Sequence, residues 1–311
     1  MTPTAITILG PTATGKSALA VALAARLESC VISGDAYQIY RGMDIGTAKI
    51  TKEEMRGVPH RLVDEMDPEE SYSAALFCQM AKDIIVEENA KGKIPVICGG
   101  TGLYIQSLLE GYSFLPKDEA EKSRWQAFHK EYGNEALAEE IRKRAPAAAI
   151  PADPQRRIRI LELIDSGNFD KQAEKSKKIM YNGAVIGIAM ERPVLYDRIN
   201  RRVDAMIAAG LAEEVRKLHA RGLTDAAPAM RAIGYKEMAP YLRGECTLEE
   251  AADLIKKNTR HFAKRQLTWY RRMPYITWID RNETEDPVRW TEQTAEKIFR
   301  ETTAARPPET D

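Results

Sequence analysis

Short unbroken apolar runs alternate with helical patterns along the first third of the chain. Ala5–Leu9, Cys30–Ser33 and Ile94–Cys98 have the length and β-branched content of buried strands. Between and after them, Ala18–Leu27, Ser73–Asn89 and a stretch opening at Leu103 carry apolar residues at helical spacing. Val58–Met66 is a further strand candidate. This alternation predicts an α/β fold with a parallel sheet. From Pro116 the pattern changes to charged helices over Asp118–Lys130, Asn134–Arg144 and Asp153–Ser166, the last opening on the cap pair Asp153-Pro154. Ala184–Ile188 returns to strand. Beyond Tyr196 the chain reads as helical, with its longest helix over Thr247–Arg272, started by the capping-box pair Thr247 and Glu250. The expected layout is a core formed by 1–115 and 184–311 with a helical insertion at 116–183. Within that layout, lysine-rich 167–182 is an expected surface loop and 306–311 a frayed tail.

Composition narrows the class. Of 311 residues, 44% are apolar and 30% charged, which suits a soluble protein with a sizeable core. Met1-Thr2-Pro3-Thr4 has no basic leader and no apolar run reaches spanning length, so neither export nor a membrane is expected. Cys30, Cys78, Cys98 and Cys246 are scattered, which predicts free thiols and a reducing cytoplasm. Net charge is zero, yet Leu254–Ile279 contains no acidic residue and holds Lys256, Lys257, Arg260, Lys264, Arg265, Arg271 and Arg272. One basic segment in a neutral chain points to a local polyanion contact.

The strongest chemical signal is Gly10-Pro11-Thr12-Ala13-Thr14-Gly15-Lys16-Ser17, which fits G-x-x-x-x-G-K-[ST] between a strand and a helix. Glycines let such a loop turn its amides inward around phosphate, and the following helix adds its positive end. Lys16 can reach the terminal phosphate and the Ser17 hydroxyl can hold Mg²⁺. Asp35 follows the second strand, and Gly99-Gly100-Thr101-Gly102 follows another. Loops at the carboxyl ends of parallel strands share one crevice. Asp35 is thus a metal ligand, a general base or a turn aspartate. Thr101 is a helix cap or a substrate contact. On the C-terminal helix, Lys257, His261, Lys264, Arg265, Thr268 and Arg272 share a face, while Leu254, Phe262, Leu267 and Trp269 are assigned to the core. Basic residues beside aromatics suit RNA. Arg156, Arg157 and Arg159 form a second basic cluster.

These segments together resemble the bacterial tRNA dimethylallyltransferases. The resemblance rests on GPTATGKS at 10–17, SGDAYQIYRGMDIGTAK at 33–49, VPHRLVDEMDPEESYSAALF at 58–77 and GGTGLY at 99–104. It continues in DPQRRIRILE at 153–162, RINRRVDAMIAAGLAEEV at 198–215, RAIGYKE at 231–237 and TRHFAKRQLTWYR at 259–271. One departure is Ala36, where the family usually has Ser. No zinc-finger extension like that of the eukaryotic relatives is seen. The resemblance implies a P-loop NTPase-like core with a helical insertion that clamps tRNA. It implies transfer of a dimethylallyl group from dimethylallyl diphosphate to N6 of the adenosine 3′ of the anticodon, with Mg²⁺, by a monomer. Lys16, Arg202, Asp35 and Thr101 would then be catalytic, with Gly10–Ser17 binding diphosphate. Asp35, Ala36, Tyr37, Gln38, Thr101, Arg124, Gln155, Arg156, Arg157, Ile158, Arg159, Arg231, Lys264, Arg265 and Arg272 would face tRNA. The competing readings are a P-loop nucleotide kinase, a free-adenylate isopentenyltransferase and an RNA-binding module without catalysis.

Overall fold

A computed structural model describes residues 2–115, 118–169, 179–281 and 286–304. The chain divides into two compact units, Met1–Glu110 with Ile179–Asp311, and Gly111–Lys178. These breaks fall a few residues ahead of the expected boundaries at 116 and 184. Most of the lysine-rich stretch, and the tail 306–311, lie outside the described residues.

The larger unit begins with β1 (Ile6–Leu9), α1 (Lys16–Arg26), β2 (Val31–Ser33), α2 (Lys52–Met55), β3 (His60–Arg61), α3 (Ala74–Ala90), β4 (Val96–Gly99) and α4 (Gly102–Leu109). The smaller unit contributes α5 (Glu119–Arg144) and α6 (Pro154–Asp165). The larger unit then resumes with β5 (Val185–Ala189), α7 (Arg192–Ala208), α8 (Leu211–Ala220), α9 (Tyr235–Leu242), α10 (Leu248–Tyr270), β6 (Thr277–Asp280) and α11 (Pro287–Ala304).

The six strands form one sheet in the order β3-β2-β4-β1-β5-β6, every pairing parallel. Alternation along the strands sends Ile6, Ile8, Val31 and Val96 to one face, where they pack with Leu19, Leu23 and Ile298. Leu9, Ile32 and Ile97 go to the other face with Phe77, Ile105 and Tyr270. Burial on both sides explains why these strands are continuous apolar runs. The candidate segment Val58–Met66 does hold a strand, the two residues of β3, and Met66 makes an isolated parallel bridge to Tyr40. One sequence expectation is corrected here. Four residues of the stretch read as helical, Thr277–Asp280, form the edge strand β6.

In the smaller unit, Trp125, Leu137, Ile141, Ile158 and Leu161 make a separate core. Gly133, at φ 81° and ψ −178°, breaks α5 between the two helical patterns seen in the sequence. Asp153 caps α6 by accepting the Arg156 amide at 2.9 Å.

Candidate active site

Residues 10–15 link β1 to α1 at the carboxyl edge of the sheet. Ala13 has φ 67°, a left-handed conformation that costs an L-residue on the order of 1–3 kcal/mol. The surroundings hold it there. The loop's carbonyls accept from flanking cations and from the loop's own hydroxyl: Lys16 Nζ and Thr14 Oγ1 donate to Pro11 O at 3.3 and 2.9 Å. Arg198 Nε donates to Ala13 O at 2.8 Å and Arg281 Nη1 to Thr14 O at 2.5 Å. Arg202 Nη1 donates to Thr12 Oγ1 at 3.3 Å. Arg281 also lies over Trp290, 5.1 Å from the ring centroid, and fills the space any side chain at Gly15 would need. With these carbonyls occupied, and the Thr12 amide donated to Gln266 Oε1 at 3.0 Å, the amides of Ala13 to Ser17 remain the loop's candidates for an anion.

Two further loops are stitched together beside it. Gly34 N donates to Cys98 O at 2.8 Å and Thr101 N to Gly34 O at 3.3 Å. Gly99 passes so close to Gly34 that an added Cβ would lie 2.4 Å from its carbonyl oxygen. A Gly99→Ala variant is therefore expected to lose about 1–3 kcal/mol of stability in denaturant unfolding, the scale of overpacking. Asp35 Oδ1 accepts from the Tyr37 and Gln38 amides at 2.9 and 3.4 Å. The turn-aspartate reading thus accounts for one carboxylate oxygen. Thr101 sits at the cap position of α4 but makes no side-chain cap bond. Its Oγ1 accepts the Ala36 amide at 3.1 Å instead, which ties it to the Asp35 loop.

One cavity of about 70 Å³ is lined by Thr12, Lys16 and Ser17, by Asp35 and Gln38, by Gly99 and Gly100, and by Arg202, Phe262 and Gln266. A wider cleft of about 880 Å³ shares Lys16, Ser17 and Arg202 and adds Arg198, Arg201 and Arg281. Burial lowers the Lys16 pKa, with Arg202 acting in the same direction and Cys98 and Asp35 opposing. Burial also lowers that of Arg202, against the pull of Asp35. The Cys98 thiol, beside Lys16 and Ser17, is pushed up to about 11 by burial. Two cations and a carboxylate therefore face one small, poorly hydrated space.

The exposed face of α10 carries Lys257, His261, Lys264, Arg265 and Thr268, continuing to Arg271 and Arg272. Among the described residues, Lys264, Arg265, Arg271 and Arg272 have no ion-pair partner. Arg265 stands 5.8 Å from the Phe262 ring centroid. Leu254, assigned to the core from sequence, is 44% exposed. Arg231 is exposed at the end of a short turn, Ala229–Arg231.

In the smaller unit, Gln155 and Arg156 are exposed. Arg157 is turned inward, 9% exposed, donating to Pro151 O and Asn134 O at 2.6 Å each, and Ile158 is core at 2%. These two side chains hold α6 to the turn before it and to α5. Arg159 donates to Leu115 O and pairs with Glu162. Arg124 pairs with Glu121 and Asp165.

Residues 38–273 match the model of the IPP transferase family. The chain belongs to the IPP transferase family. Within it, the tRNA dimethylallyltransferase of Halalkalibacterium halodurans is 47% identical over 289 residues, covering 90% of this chain and 92% of that one. The structure of a tRNA isopentenylpyrophosphate transferase from Bacillus halodurans superposes with a TM-score of 0.70 at 44% identity, covering 97% of this chain and 99% of that one. That of a tRNA isopentenylpyrophosphate transferase from Staphylococcus epidermidis gives 0.71 at 37% identity, covering 96% and 99%.

Several residues that shape this family member's site were not singled out from sequence. Arg198, Arg281 and Gln266 hold the phosphate loop. Glu214 accepts the amides of Asp44, Ile45 and Gly46 at 2.8–3.1 Å and the Tyr235 hydroxyl at 2.6 Å. It thereby fixes the segment that carries Thr47 and Ala48 to the cavity. A glutamate in a charged helix gives no sequence signal for this. Three consecutive amides turned to one point would, but that is a property of the fold.

Proposed function

We propose that this enzyme transfers a dimethylallyl group from dimethylallyl diphosphate to the N6 amine of an adenosine in tRNA, the one 3′ of the anticodon. The observation that carries the reading is the shared cavity, which has Lys16 and Arg202 in one wall and Asp35 in another. The allylic C–O bond breaks and its electron pair leaves with the diphosphate. Lys16, Arg202 and the loop amides stabilise that charge as it develops, in a site where water does not screen it. The N6 lone pair forms the new C–N bond, and the N6 proton passes to Asp35. Thr101 keeps its hydroxyl proton for donation, since its oxygen accepts from Ala36. The extruded adenine reaches the cavity from outside its stack.

A Mg²⁺ ion fits this site as a companion of the diphosphate. Ser17 offers its hydroxyl at the cavity, while no cluster of three acidic, His or Cys ligands exists among the described residues. Mg²⁺ commonly takes few protein ligands and keeps phosphate oxygens and water. When bound it would neutralise leaving-group charge.

The four cysteines are free, and no described helix is long and apolar enough to cross a membrane. Labelled dimethylallyl diphosphate offered with tRNA, with AMP, and with neither tests the whole reading. Label is expected in tRNA alone. Label in AMP, or phosphate transfer from ATP to a small acceptor, would overturn it.

The exposed face of α10 is the proposed phosphate track, with Arg231 and, in the smaller unit, Arg124, Gln155 and Arg156 as further contacts. Substituting Lys264, Arg265 and Arg272 together by Ala should weaken tRNA binding. It should also shallow the dependence of log K on log salt by roughly 0.7–0.9 for each phosphate no longer neutralised. Affinity for the prenyl donor should stay unchanged. A salt series on the folded triple variant checks this, and an unaltered slope would take α10 out of the RNA footprint.

A further inference from the structure

We propose that Gln266 is a positioning residue through which the RNA-facing helix holds the donor loop and the acceptor loops in register. The inference rests on the reading of the site given above. Gln266 lies on α10, 5% exposed, with the basic residues Lys264 and Arg265 beside it in sequence on the outer side. Phe262, one helical turn earlier, shares its inward face and lines the same cavity.

The Gln266 amide makes two long-range bonds at once. Oε1 accepts the Thr12 amide at 3.0 Å, in the middle of the phosphate loop. Nε2 donates to Gly100 O at 2.8 Å, in the turn that leads into Thr101. Thr101 in turn accepts the Ala36 amide, next to Asp35. One side chain thus joins the loop that would hold the leaving group, the turn that would orient the base, and through it the loop of the proton acceptor. Gly100 has no room to spare, since an added Cβ would lie 2.5 Å from Nε2.

Chemistry restricts this position to a primary amide. A carboxylate of the same shape accepts from Thr12 but turns a lone pair toward the Gly100 carbonyl. It also places a negative charge where diphosphate must sit. A thioether of similar length makes neither bond. Because α10 carries the RNA-facing residues on one side and this amide on the other, any seating of α10 by tRNA reaches the donor loop through this buried amide, the polar link beside the apolar packing that Ala13 shares with Ala263 and Leu267. Binding of the two substrates is then thermodynamically coupled, and equally in both directions.

The test uses the full chain, inorganic pyrophosphate with Mg²⁺ as the donor-site probe, and an unmodified tRNA transcript. Calorimetry gives pyrophosphate affinity with and without saturating tRNA. In the parent protein, tRNA is expected to tighten pyrophosphate about fivefold or more, the lower end of common coupling factors. In Gln266→Met the two affinities should agree within about twofold, while tRNA alone binds as before. Gln266→Glu, which keeps the shape, should retain tRNA affinity and show a raised KM for dimethylallyl diphosphate. It serves as the deciding variant if the Met form does not fold. Coupling that is absent in the parent, or that survives in Gln266→Met, overturns the proposal, as does an unchanged donor KM in Gln266→Glu. Loss of prenyl transfer to tRNA in the parent itself would instead sink the functional reading, so the two failures are separable.

Discussion

An Asp35→Asn variant is expected to transfer prenyl groups about 10²–10⁴-fold more slowly, the usual cost of losing a general base. Its tRNA affinity should stay close to that of the parent. The amide is the informative choice because the proposed base also has a structural job. Oδ1 accepts the Tyr37 and Gln38 amides and so shapes the loop after β2. An asparagine oxygen keeps those bonds and the turn, while the group loses its capacity to take the N6 proton. Asp35→Ala removes both functions, and should add a loss of loop order to the loss of rate. Single-turnover rates and tRNA binding on the two variants separate chemistry from scaffolding. Parent-like turnover in Asp35→Asn would remove this residue as the base. A collapse of tRNA affinity in Asp35→Asn with little change in single-turnover rate would leave it as a turn former.

Lys16→Met should cost roughly 10²–10³-fold in kcat/KM for the donor, the scale seen when one preorganised donor to a developing anion is lost. Both KM and kcat should move, because the charge on the diphosphate is present when bound and grows as the C–O bond breaks. The pH response gives a second signature. Burial, with Arg202 adding to it, holds the Lys16 ammonium below the ordinary lysine range. The protonated form is the one that binds diphosphate, so donor affinity should fall as pH rises through the lowered pKa. Lys16→Met should lack this alkaline limb. Burial raises the Cys98 thiol to about 11, so it stays protonated near neutral pH. Steady-state kinetics with pyrophosphate competition across the alkaline range check both points. An unchanged Michaelis constant would place the donor elsewhere.

The buried part of the sheet was legible because strands covered on both faces must be apolar throughout. That is why β1, β2, β4 and β5 stand out as runs, and why the loops at their carboxyl ends could be gathered into one site. The edges of the sheet were not legible. Thr277–Asp280 is mostly exposed, so burial does not shape its composition, and it sits beside a long helical pattern. Pro287–Ala304 lies within the region read as helical and forms α11, which touches the core through Trp290, Ala295 and Ile298.

The phosphate loop, Lys16 and Asp35 could be picked out by spacing and position, whereas Arg202 entered by resemblance alone. Arg198, Arg281 and Gln266 could not be found either way from local pattern. A polar side chain that reaches across the fold to a backbone carbonyl looks, in sequence, like any solvated residue of a charged helix. Arg157 belongs to a basic cluster in sequence, and in the fold its guanidinium donates to two carbonyls inside the smaller unit, a structural use that the cluster does not reveal.

The cations that occupy the phosphate loop's carbonyls also bear on how the donor is captured. A loop already held in its strained shape by Arg198, Arg281 and Lys16 need not be ordered when diphosphate arrives. Little of the binding energy is then diverted to selecting a rare conformer, and apparent affinity approaches the intrinsic one. Arrival of dimethylallyl diphosphate should accordingly be limited by encounter, which a cleft lined by several arginines accelerates most at low ionic strength.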